Sequence, residues 1–283
     1  MSKNISLYIP AYNAEKTIEN SINSILNQTL RPKEIIVIND CSTDNTLNLL
    51  KNFNQIKVIN NKKNYGLAKS RNIALKYSKY DYLASIDSDV ICKKNWLEIL
   101  FKTMMKKKVD LIGGKLIDKY TNDPANHWRC YYLKQNWGNK YIKNPQFVFG
   151  ANSLLNKRKI LNLKIKYNET FRTNGEDVNF SKVLKSKNCI LYYEPKALCY
   201  HYQFDNIYSL SKRYWRYSYY GAGLKKLTLI RLTKLIIRQI KVLFWWMYRD
   251  FIKKNFHFLK VNLIMSYYFI ILCINEYLFN EKK

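Results

Sequence analysis

The first 115 residues alternate between short apolar runs and longer segments in which apolar residues recur every three or four positions. Runs rich in Ile, Val and Tyr are typical of β-strands, and four of them lie in ISLYIP, EIIVIND, IKVINN and DYLASIDSD. Helical spacing between these runs is shown by Ile18, Ile22 and Ile25, by Leu47, Leu50 and Phe53, and by Trp96, Leu100 and Met104. Strands that alternate with helices predict right-handed crossovers and a mostly parallel, doubly wound α/β sheet.

The remaining chain divides into two further regions. Residues 116–204 lose the regular alternation, although QFVFGANSLL and CILYYEP still have the composition of strands, and a helix is predicted near 176–187. No linker rich in Gly or Ser separates this region from the first, so we expect one domain over 1–204 with halves at 1–115 and 116–204. Residues 205–283 mix aromatic and basic residues in long helical stretches and are expected to form a second, helical region.

Polar residues gather where three of the predicted strands end. The first strand ends in Pro10–Asn13, the second in Asn39–Asp44 and the fourth in Asp87–Asp89. Ligands of open α/β sheets bind outside the carboxyl ends of the strands, so these segments are expected to surround one crevice. Asn13, and either Ser42 or Thr43, also have the residue types that cap helices.

The sharpest signal is Asp87-Ser88-Asp89. Mn²⁺ and Mg²⁺ prefer oxygen ligands, commonly one or two carboxylates together with water and substrate phosphates. Two carboxylates one residue apart after a buried strand can face one ion, which would bridge a diphosphate and neutralise the charge on a leaving group. The alternative is a turn or a helix cap, which explains most such aspartate pairs.

Four other residues of the first half each allow two interpretations. Asp40 follows an apolar strand and can accept a hydrogen bond from a nucleobase, or it can cap a helix. Tyr12 can stack on that base or pack in the core. Gly66 opens a predicted helix whose N-terminus can approach phosphate, or it only serves a turn. Arg71 can contact the nucleotide, or it can be a structural ion-pair partner.

Acidic residues also occur in the second half, at Glu176-Asp177. They start a predicted helix, where the macrodipole alone favours negative charge. The functional interpretation is a general base that removes a proton from an acceptor hydroxyl. His201 follows in LCYHYQ, and composition does not distinguish a ligand there from an exposed or packed histidine.

Taken in order, these segments resemble the nucleotide-sugar-dependent family 2 glycosyltransferases with the GT-A fold. The resemblance runs from ISLYIPAYNAEKTIENSINSILNQT through EIIVINDCSTDNT, NYGLAKSRNIAL and SIDSDV to VFGANSLL and NGEDVNFSKVLK, over roughly residues 3–204. It implies a GT-A, Rossmann-like sheet flanked by helices, with 1–115 as the nucleotide-binding half and 116–204 as the acceptor half. It also implies an inverting transfer of a hexosyl or N-acetylhexosaminyl group from a UDP-sugar to a glycan or glycolipid hydroxyl, in bacterial surface polysaccharide or lipooligosaccharide synthesis.

The resemblance also implies roles for particular residues. Asp89 would bind a Mn²⁺ or Mg²⁺ ion on the diphosphate, with Asp87 near the ribose or the metal, and His201 matches a position that completes the metal shell in some relatives. Asp177 would be the catalytic base, supported by Glu176. The expected donor-binding residues are Pro10, Ala11, Tyr12, Asn13, Asp40, Gly66, Arg71, Asp87, Ser88, Gly150, Ala151 and Asn152. The chain lacks the QxxRW signature of processive relatives, since KRYWRY at 212–217 matches it only loosely, and a single addition is therefore expected.

The formal net charge of +29 adds an expected anionic partner, unless compositional drift explains the excess. One alternative function is a basic nucleic-acid-binding protein, because basic and aromatic side chains together hold single strands. No RNA-binding motif is present, however, and acidic groups gather where the sheet ligand should lie. A metal-dependent nucleotidyltransferase is the second alternative, but it does not account for the later acidic pair.

The six cysteines contain no CxxC pair, which is typical of free thiols in a reducing compartment. The chain begins without the apolar core of a signal peptide, and a cytoplasmic protein is therefore expected.

The C-terminal region predicts contact with an anionic membrane surface. Arg231, Lys234, Arg238 and Lys241 form one stripe of a helix, opposite the apolar residues Leu232, Leu235, Ile236, Ile240 and Leu243. Such a helix suits peripheral attachment to the cytoplasmic face of a membrane. The alternative is a helix packed on the catalytic domain with its basic face in water. The later apolar run Val261–Ile274 is shorter than the roughly 20 residues of a span, so residues 261–279 are expected to lie on the membrane.

Overall fold

The computed structural model describes residues 4–119, 123–171, 174–220 and 227–280. They fall into two compact units. The first, called here the sheet unit, lies in Met1–Lys119 and Gln135–Gln203, and the second, the helical unit, lies in Tyr120–Lys134 and Phe204–Lys283. A segment that the sequence pattern assigned to the first domain thus groups with the C-terminal helices.

The strands of the sheet unit begin and end close to the apolar runs. They are β1 Ile5–Ala11, β2 Glu34–Asn39, β3 Lys57–Asn60, β4 Tyr82–Ile86, β5 Val90–Cys92, β6 Leu111–Asp118, β7 Ile142–Lys143, β8 Asn152–Asn156 and β9 Leu191–His201. Their order in the sheet is β3-β2-β1-β4-β8-β6-β9-β5, and β7 pairs with β9 outside this path.

The two halves of the sheet differ in strand direction. In the N-terminal half, β1 is parallel to β2 and β4, and β2 is parallel to β3. In the other half, β8 is antiparallel to β4 and β6, whereas β6 and β9 are parallel. The α/β class is confirmed, but the mostly parallel arrangement describes only the N-terminal half. The parallel pairs there are joined by helical crossovers, which parallel pairing requires.

Helices cover both faces of the sheet. They are α1 Ile18–Leu26, α2 Thr46–Leu50, α3 Leu67–Tyr77, α4 Trp96–Lys107, α6 Lys157–Asn162 and α7 Glu176–Ser186. Leu7 and Ile9 of β1 pack in the cluster that contains α1 and α4, whereas Tyr8 between them packs in the cluster that contains α3 and α7. Successive strand residues point to opposite faces, so this alternation confirms a doubly wound arrangement.

The helical unit consists of α5 Pro124–Tyr132, α8 Ile207–Tyr220, α9 Leu229–Ile252, a 3₁₀ turn at Phe256–Phe258, and α10 Leu259–Asn280. Trp128 explains why α5 belongs here. Its side chain is fully buried, its ring meets that of Trp246 edge-on at 5.0 Å, and its Nε1–H donates to Asn262 Oδ1 at 2.6 Å. A buried indole needs both apolar neighbours and an acceptor, and α9 and α10 supply them.

By length and composition alone, Phe256–Phe279 is apolar enough to cross a membrane, and no other helix in the described part of the chain meets that criterion. One side of α10 is packed inside the helical unit, where Met265, Phe269 and Cys273 are fully buried. The expectation that 261–279 lies on a membrane stays a prediction.

Candidate active site

Side chains fasten the loops that follow β1 and β2 to each other. Asn13 has a positive φ of 50°, and its Oδ1 accepts a hydrogen bond from the backbone N–H of Thr43 at 2.8 Å. Ser42 Oγ in turn accepts from the backbone N–H of Asn13 at 3.0 Å. These residues therefore link two loops and do not cap helices as predicted, since α1 begins at Ile18 and α2 at Thr46.

Tyr12 lies in the first of these loops, and 49% of its surface is exposed. Pro10 and Ala11 before it are buried in β1, opposite Ile38 and Asn39 of β2. The strand thus holds the phenol ring at the carboxyl end of the sheet, where it can stack on a planar ligand. This exposure excludes core packing, which the sequence had left open.

Asp40 organises the segment in front of α3. Its side chain is nearly buried; Oδ1 accepts from the Asn61 amide at 2.7 Å and the Tyr65 N–H at 3.0 Å, and Oδ2 accepts from the Gly66 N–H at 2.7 Å. Gly66 has a φ of 91°, a conformation that favours glycine, and it directly precedes α3. These contacts give Asp40 a structural role, and its hydrogen bond to a nucleobase stays a prediction.

Arg71 of α3 lies at the centre of the site and is 1% exposed. Its Nη1 donates to the hydroxyls of Tyr8 at 3.0 Å and Ser85 at 2.9 Å, and to the carbonyl of Gly150 at 3.0 Å. Tyr8 and Ser85 are register partners on β1 and β4, so strand pairing sets their hydroxyls side by side. Of the two roles that the sequence left open, these contacts favour a structural cation.

Two carboxyl groups lie against the Arg71 guanidinium. Arg71 Nε lies 3.2 Å from Glu176 Oε1, and Nη2 lies 3.3 Å from Asp87 Oδ1. Burial raises the pKa of Glu176 to about 8, and the charge of Asp177 adds to this while Arg71 opposes it. Burial also raises the pKa of Asp87, with Arg71 opposing and Asp89 adding. Protonation of Glu176 at neutral pH therefore relieves the crowding of acidic groups around the single guanidinium.

Gly150 allows the guanidinium to lie against the backbone. A Cβ added there would come 2.6 Å from Arg71 Nη2 and 2.7 Å from Cζ. The Gly150 carbonyl accepts from Arg71, and its N–H donates to Asp177 Oδ2 at 3.1 Å. A single residue thus joins the Arg71–Asp87 pair to Asp177.

The neighbours Glu176 and Asp177 have different environments. Both lie in the first turn of α7, where the helix dipole favours acidic residues. Glu176 is almost fully buried and paired with Arg71. Asp177 remains partly exposed, and its Oδ1 accepts from the Val178 N–H at 2.8 Å. Of these two neighbours, Asp177 is the one that contacts the network and is also partly exposed.

A second polar group joins the ends of β6 and β9. His201 lies between two carboxylates, with Nε2 3.2 Å from Asp89 Oδ2 and Nδ1 2.8 Å from Asp118 Oδ1. Burial would lower the pKa of His201, but the Asp89 and Asp118 carboxylates raise it to about 10. Asp118 and His201 are register partners, so the parallel pairing of the two strands fixes the ring.

Asp89 and His201 have the donor chemistry of part of a metal site. His201 lies with Nδ1 against Asp118 and Nε2 against Asp89, and carboxylates orient metal-binding histidines in this way. Because the two carboxylates raise its pKa to about 10, the ring would have to lose the Nε2 proton before that nitrogen could bind a metal. Within the described ranges, no three His, Cys, Asp or Glu residues are grouped to hold an ion. Asp87, the third predicted ligand, is paired with Arg71. The residues fit a cation whose remaining ligands are phosphate oxygens and water.

The other predicted donor-site residues contribute mainly through the backbone. The carbonyl of Ser88 accepts from a hydroxyl of α1 at 2.8 Å, and Ala151 is nearly buried beside Gly150. Asn152 is fully buried, and its Oδ1 accepts from the Trp96 Nε1–H at 2.6 Å. Asn152 therefore joins α4 to the sheet, a placement that contradicts direct contact with the donor sugar.

Three residues of the network were not predicted. Tyr8 and Ser85 lie inside apolar strands, where the only available signal is a polar atom on the same face of two neighbouring strands. Asp118 ends β6, so the rule that located the other strand-end carboxylates also applies to it.

Comparisons with known proteins show the family of the chain. The family model described as glycosyl transferase family 2 matches residues 6–173. An uncharacterised glycosyltransferase of Haemophilus influenzae is 47% identical over 98 residues, which are 33% of this chain and 30% of that protein. The Escherichia coli UDP-Glc:alpha-D-GlcNAc-diphosphoundecaprenol beta-1,3-glucosyltransferase WfgD is 39% identical over 112 residues, 39% of this chain and 44% of that protein. The chain matches less than half of the length of these relatives.

Solved structures share the fold. The crystal structure of S. aureus TarS 1–349 superimposes with a TM-score of 0.60 at 18% identity, and covers 99% of this chain and 92% of that chain. The complex of the same protein with UDP-GlcNAc gives the same TM-score, over 85% of this chain and 66% of that chain. The GT-A fold expected from the sequence is thereby confirmed.

Proposed function

The chain belongs to glycosyl transferase family 2, and we propose that it is an inverting enzyme that transfers a sugar from a UDP-sugar to an acceptor hydroxyl. One observation carries the proposal. Arg71 binds both Asp87 and the Gly150 carbonyl, and the Gly150 N–H binds Asp177. The acid that follows the nucleotide-binding strands and the acid that opens α7 therefore belong to one hydrogen-bonded network.

The donor would be held from two sides. The exposed ring of Tyr12 would stack on the uracil base, and Asp89, with His201 once its Nε2 is deprotonated, would hold a Mn²⁺ or Mg²⁺ ion. When bound, that ion neutralises the charge that develops on the diphosphate as it leaves. Arg71 is already committed to protein groups, so its role is to position Asp87.

Asp177 would act as the general base. Its carboxylate is fixed by the N–H groups of Gly150 and Val178, and the residue remains partly exposed. It takes the hydroxyl proton as the acceptor oxygen attacks the anomeric carbon from the face opposite the diphosphate, which inverts the configuration. Glu176 supports it indirectly, because its ion pair holds Arg71 against Gly150.

The names of two relatives support a proposal for the acceptor class. The name of WfgD gives a sugar linked to diphosphoundecaprenol as its acceptor, and a Bacillus subtilis relative is named as a putative teichuronic acid biosynthesis enzyme. We therefore propose a glycan or a lipid-linked sugar as the acceptor, a hexosyl or N-acetylhexosaminyl donor, and a role in the synthesis of a bacterial surface polysaccharide or lipooligosaccharide.

The test is a screen of UDP-hexoses and UDP-N-acetylhexosamines for release of UDP, with Mn²⁺, with Mg²⁺ and with chelator. Lipid-linked sugar diphosphates in detergent serve as acceptors. We expect release with one donor class that depends on metal, and a product of inverted anomeric configuration by NMR. Calorimetry of UDP with and without Mn²⁺ gives a readout that needs no acceptor. If neither UDP nor any UDP-sugar binds in either condition, the proposed donor is wrong.

A further inference from the structure

Residues of the apolar face that the sequence predicted for membrane contact pack inside the helical unit. Leu232 and Leu235 of α9 are each only 7% exposed, and they pack with Phe269 and Cys273 of α10. Gln239, on the same side of α9, is buried and donates to Ser266 Oγ at 2.9 Å. Leu232, Leu235 and Gln239 are therefore not available to lipid, whereas Ile240 of the same predicted face is 42% exposed. Their contacts are with α10 of the helical unit, and not with the catalytic domain that the alternative interpretation named.

A second apolar row runs along the opposite side of α9. Ile230, Ile237, Phe244 and Phe251 recur every seventh residue and are 70%, 48%, 70% and 68% exposed. Tyr248 lies one turn from Phe244 and is 67% exposed. These five residues are called here the outer stripe. Seven residues are close to two helical turns, so the stripe is continuous on one face. Contiguous exposed apolar surface of this kind marks an interaction site.

The charges on this face of α9 are positive. Arg231, Lys234, Arg238 and Lys241 are exposed, and Lys234 and Lys241 fall on the same side as the outer stripe. The acidic residue of α9, Asp250, is fully buried. The outward face therefore presents large apolar side chains and cations without a carboxylate of its own helix.

We propose that the outer stripe of α9 docks on an anionic lipid bilayer, with the helix in the plane of the interface. Phe244 and Phe251 enter the boundary between headgroups and acyl chains, Tyr248 keeps its hydroxyl among the headgroups, and Lys234 and Lys241 bind lipid phosphates. A second copy of this chain is a poorer partner, because α9 against α9 brings like charges together. The proposal does not depend on the reaction in the sheet unit.

The first experiment measures binding of the full chain to phosphatidylcholine vesicles with and without phosphatidylglycerol, by flotation at low and high salt. We expect binding that requires phosphatidylglycerol and weakens with salt. Phe244→Ser with Phe251→Ser should reduce it at least about tenfold, because the inserted rings are lost. The matched control is Tyr141→Ser with Leu161→Ser, which removes two exposed apolar side chains from the sheet unit and should change binding little.

The charges are tested separately. Lys234→Gln with Lys241→Gln should weaken binding about thirtyfold, since each basic residue near an anionic surface contributes on the order of 1 kcal/mol. Lys106→Gln with Lys107→Gln removes the same charge from exposed positions of α4 and is the control. All variants change exposed side chains, and circular dichroism with UDP binding verifies that each remains folded.

Several outcomes overturn the proposal. These are absence of vesicle binding at low salt, an equal effect of the control and the outer-stripe variants, and dimerisation in light scattering that the Phe244→Ser, Phe251→Ser variant abolishes without a change in vesicle binding. The proposal is also overturned if RNA binding depends on the outer stripe and vesicle binding does not. In cell membranes, alkaline carbonate should release the protein, because peripheral attachment is reversible. Retention that only detergent reverses would assign the attachment to a spanning helix and would also contradict the proposal.

Discussion

Each unit contains a buried network around a charged side chain, and the two networks are built differently. In the sheet unit, Arg71 is surrounded by Asp87, Glu176 and neutral acceptors. In the helical unit, the fully buried Asp250 accepts from the Tyr132 hydroxyl at 2.5 Å and the Asn262 amide at 2.7 Å. The first network leaves carboxylates partly exposed at its edge, whereas the carboxylate of the second and its Asn262 partner are fully buried, and the network is called here the closed network.

This difference separates a network that can act on a ligand from one that only stabilises a fold. Burial and the neighbouring carboxylate raise the pKa of Tyr132, which keeps its hydroxyl a donor to Asp250. The Arg71 network instead gathers acids whose charges repel one another, an arrangement that costs stability and that functional sites commonly retain. Substitutions in the Arg71 network should therefore mainly lower turnover, whereas substitutions in the Asp250 network should mainly lower the free energy of unfolding.

The largest expected effect is that of Asp177→Asn on turnover. Asparagine keeps an oxygen for only one of the two N–H groups that bind Asp177, and it cannot take a proton at neutral pH, so turnover should fall by about 10²–10⁴-fold. Loss of one hydrogen bond and of the charge at the start of α7 should lower the free energy of unfolding by about 1–2 kcal/mol. Steady-state kinetics measures turnover, UDP titration measures the affinity for the donor nucleotide, and thermal unfolding measures stability.

A matched control for this prediction is Asp81→Asn. Asp81 is an exposed aspartate of the sheet unit whose partner, Arg158, is also exposed. Its substitution should change turnover by less than about a factor of two and the free energy of unfolding by less than about 0.5 kcal/mol. Near-normal turnover of Asp177→Asn would contradict the assignment of the base.

The Asp250 network should show the reverse behaviour. Asp250→Ala leaves the Tyr132 hydroxyl and the Asn262 amide buried without their acceptor, which should lower the free energy of unfolding by about 3 kcal/mol. The network lies wholly within the helical unit, so the affinity for UDP should be unchanged. Asp250→Asn retains an acceptor oxygen and should lower the free energy of unfolding by only about 1 kcal/mol. Urea unfolding followed by tryptophan fluorescence measures the loss, and an equal loss of UDP affinity would show that the closed network also serves the site.

The sequence located the strand ends but not the network that joins them. Apolar periodicity and the rule for carboxyl ends of strands are local signals, and they found Asp40, Asp87 and Asp89. The partners of Arg71 come from β1, β4, the segment before β8 and the start of α7. Their contact depends on the register of Tyr8 with Ser85 and on the antiparallel entry of β8, which no single segment specifies.

The same limit explains the two differences in the helical unit. The periodicity of α9 predicts that it is amphipathic, but both of its faces carry apolar residues, and only packing decides which one is internal. Likewise, nothing within α5 indicates its partners, because Trp128 finds its acceptor on α10, far away in the sequence. Local pattern therefore gives elements reliably, whereas their assignment to a unit or a face requires the tertiary contacts.

The smallest expected effect, and the most specific to the open network, is that of Gly150→Ala. The added Cβ would come within 2.7 Å of the Arg71 guanidinium, so Arg71 or the Gly150 backbone must move. We expect overpacking to lower the free energy of unfolding by about 1–3 kcal/mol. Turnover should also fall about tenfold, because Asp87 and Asp177 are bound on either side of this contact and both would be displaced.

Gly138→Ala is the matched control. Gly138 has a φ of 92° with nothing within 4 Å of an added Cβ. Alanine there should therefore lower the free energy of unfolding by about 1 kcal/mol through the backbone alone and leave turnover unchanged. If Gly150→Ala lowers turnover no more than Gly138→Ala does, the contact between Gly150 and Arg71 stabilises the fold without positioning the acids, and the distinction between the open and the closed network disappears.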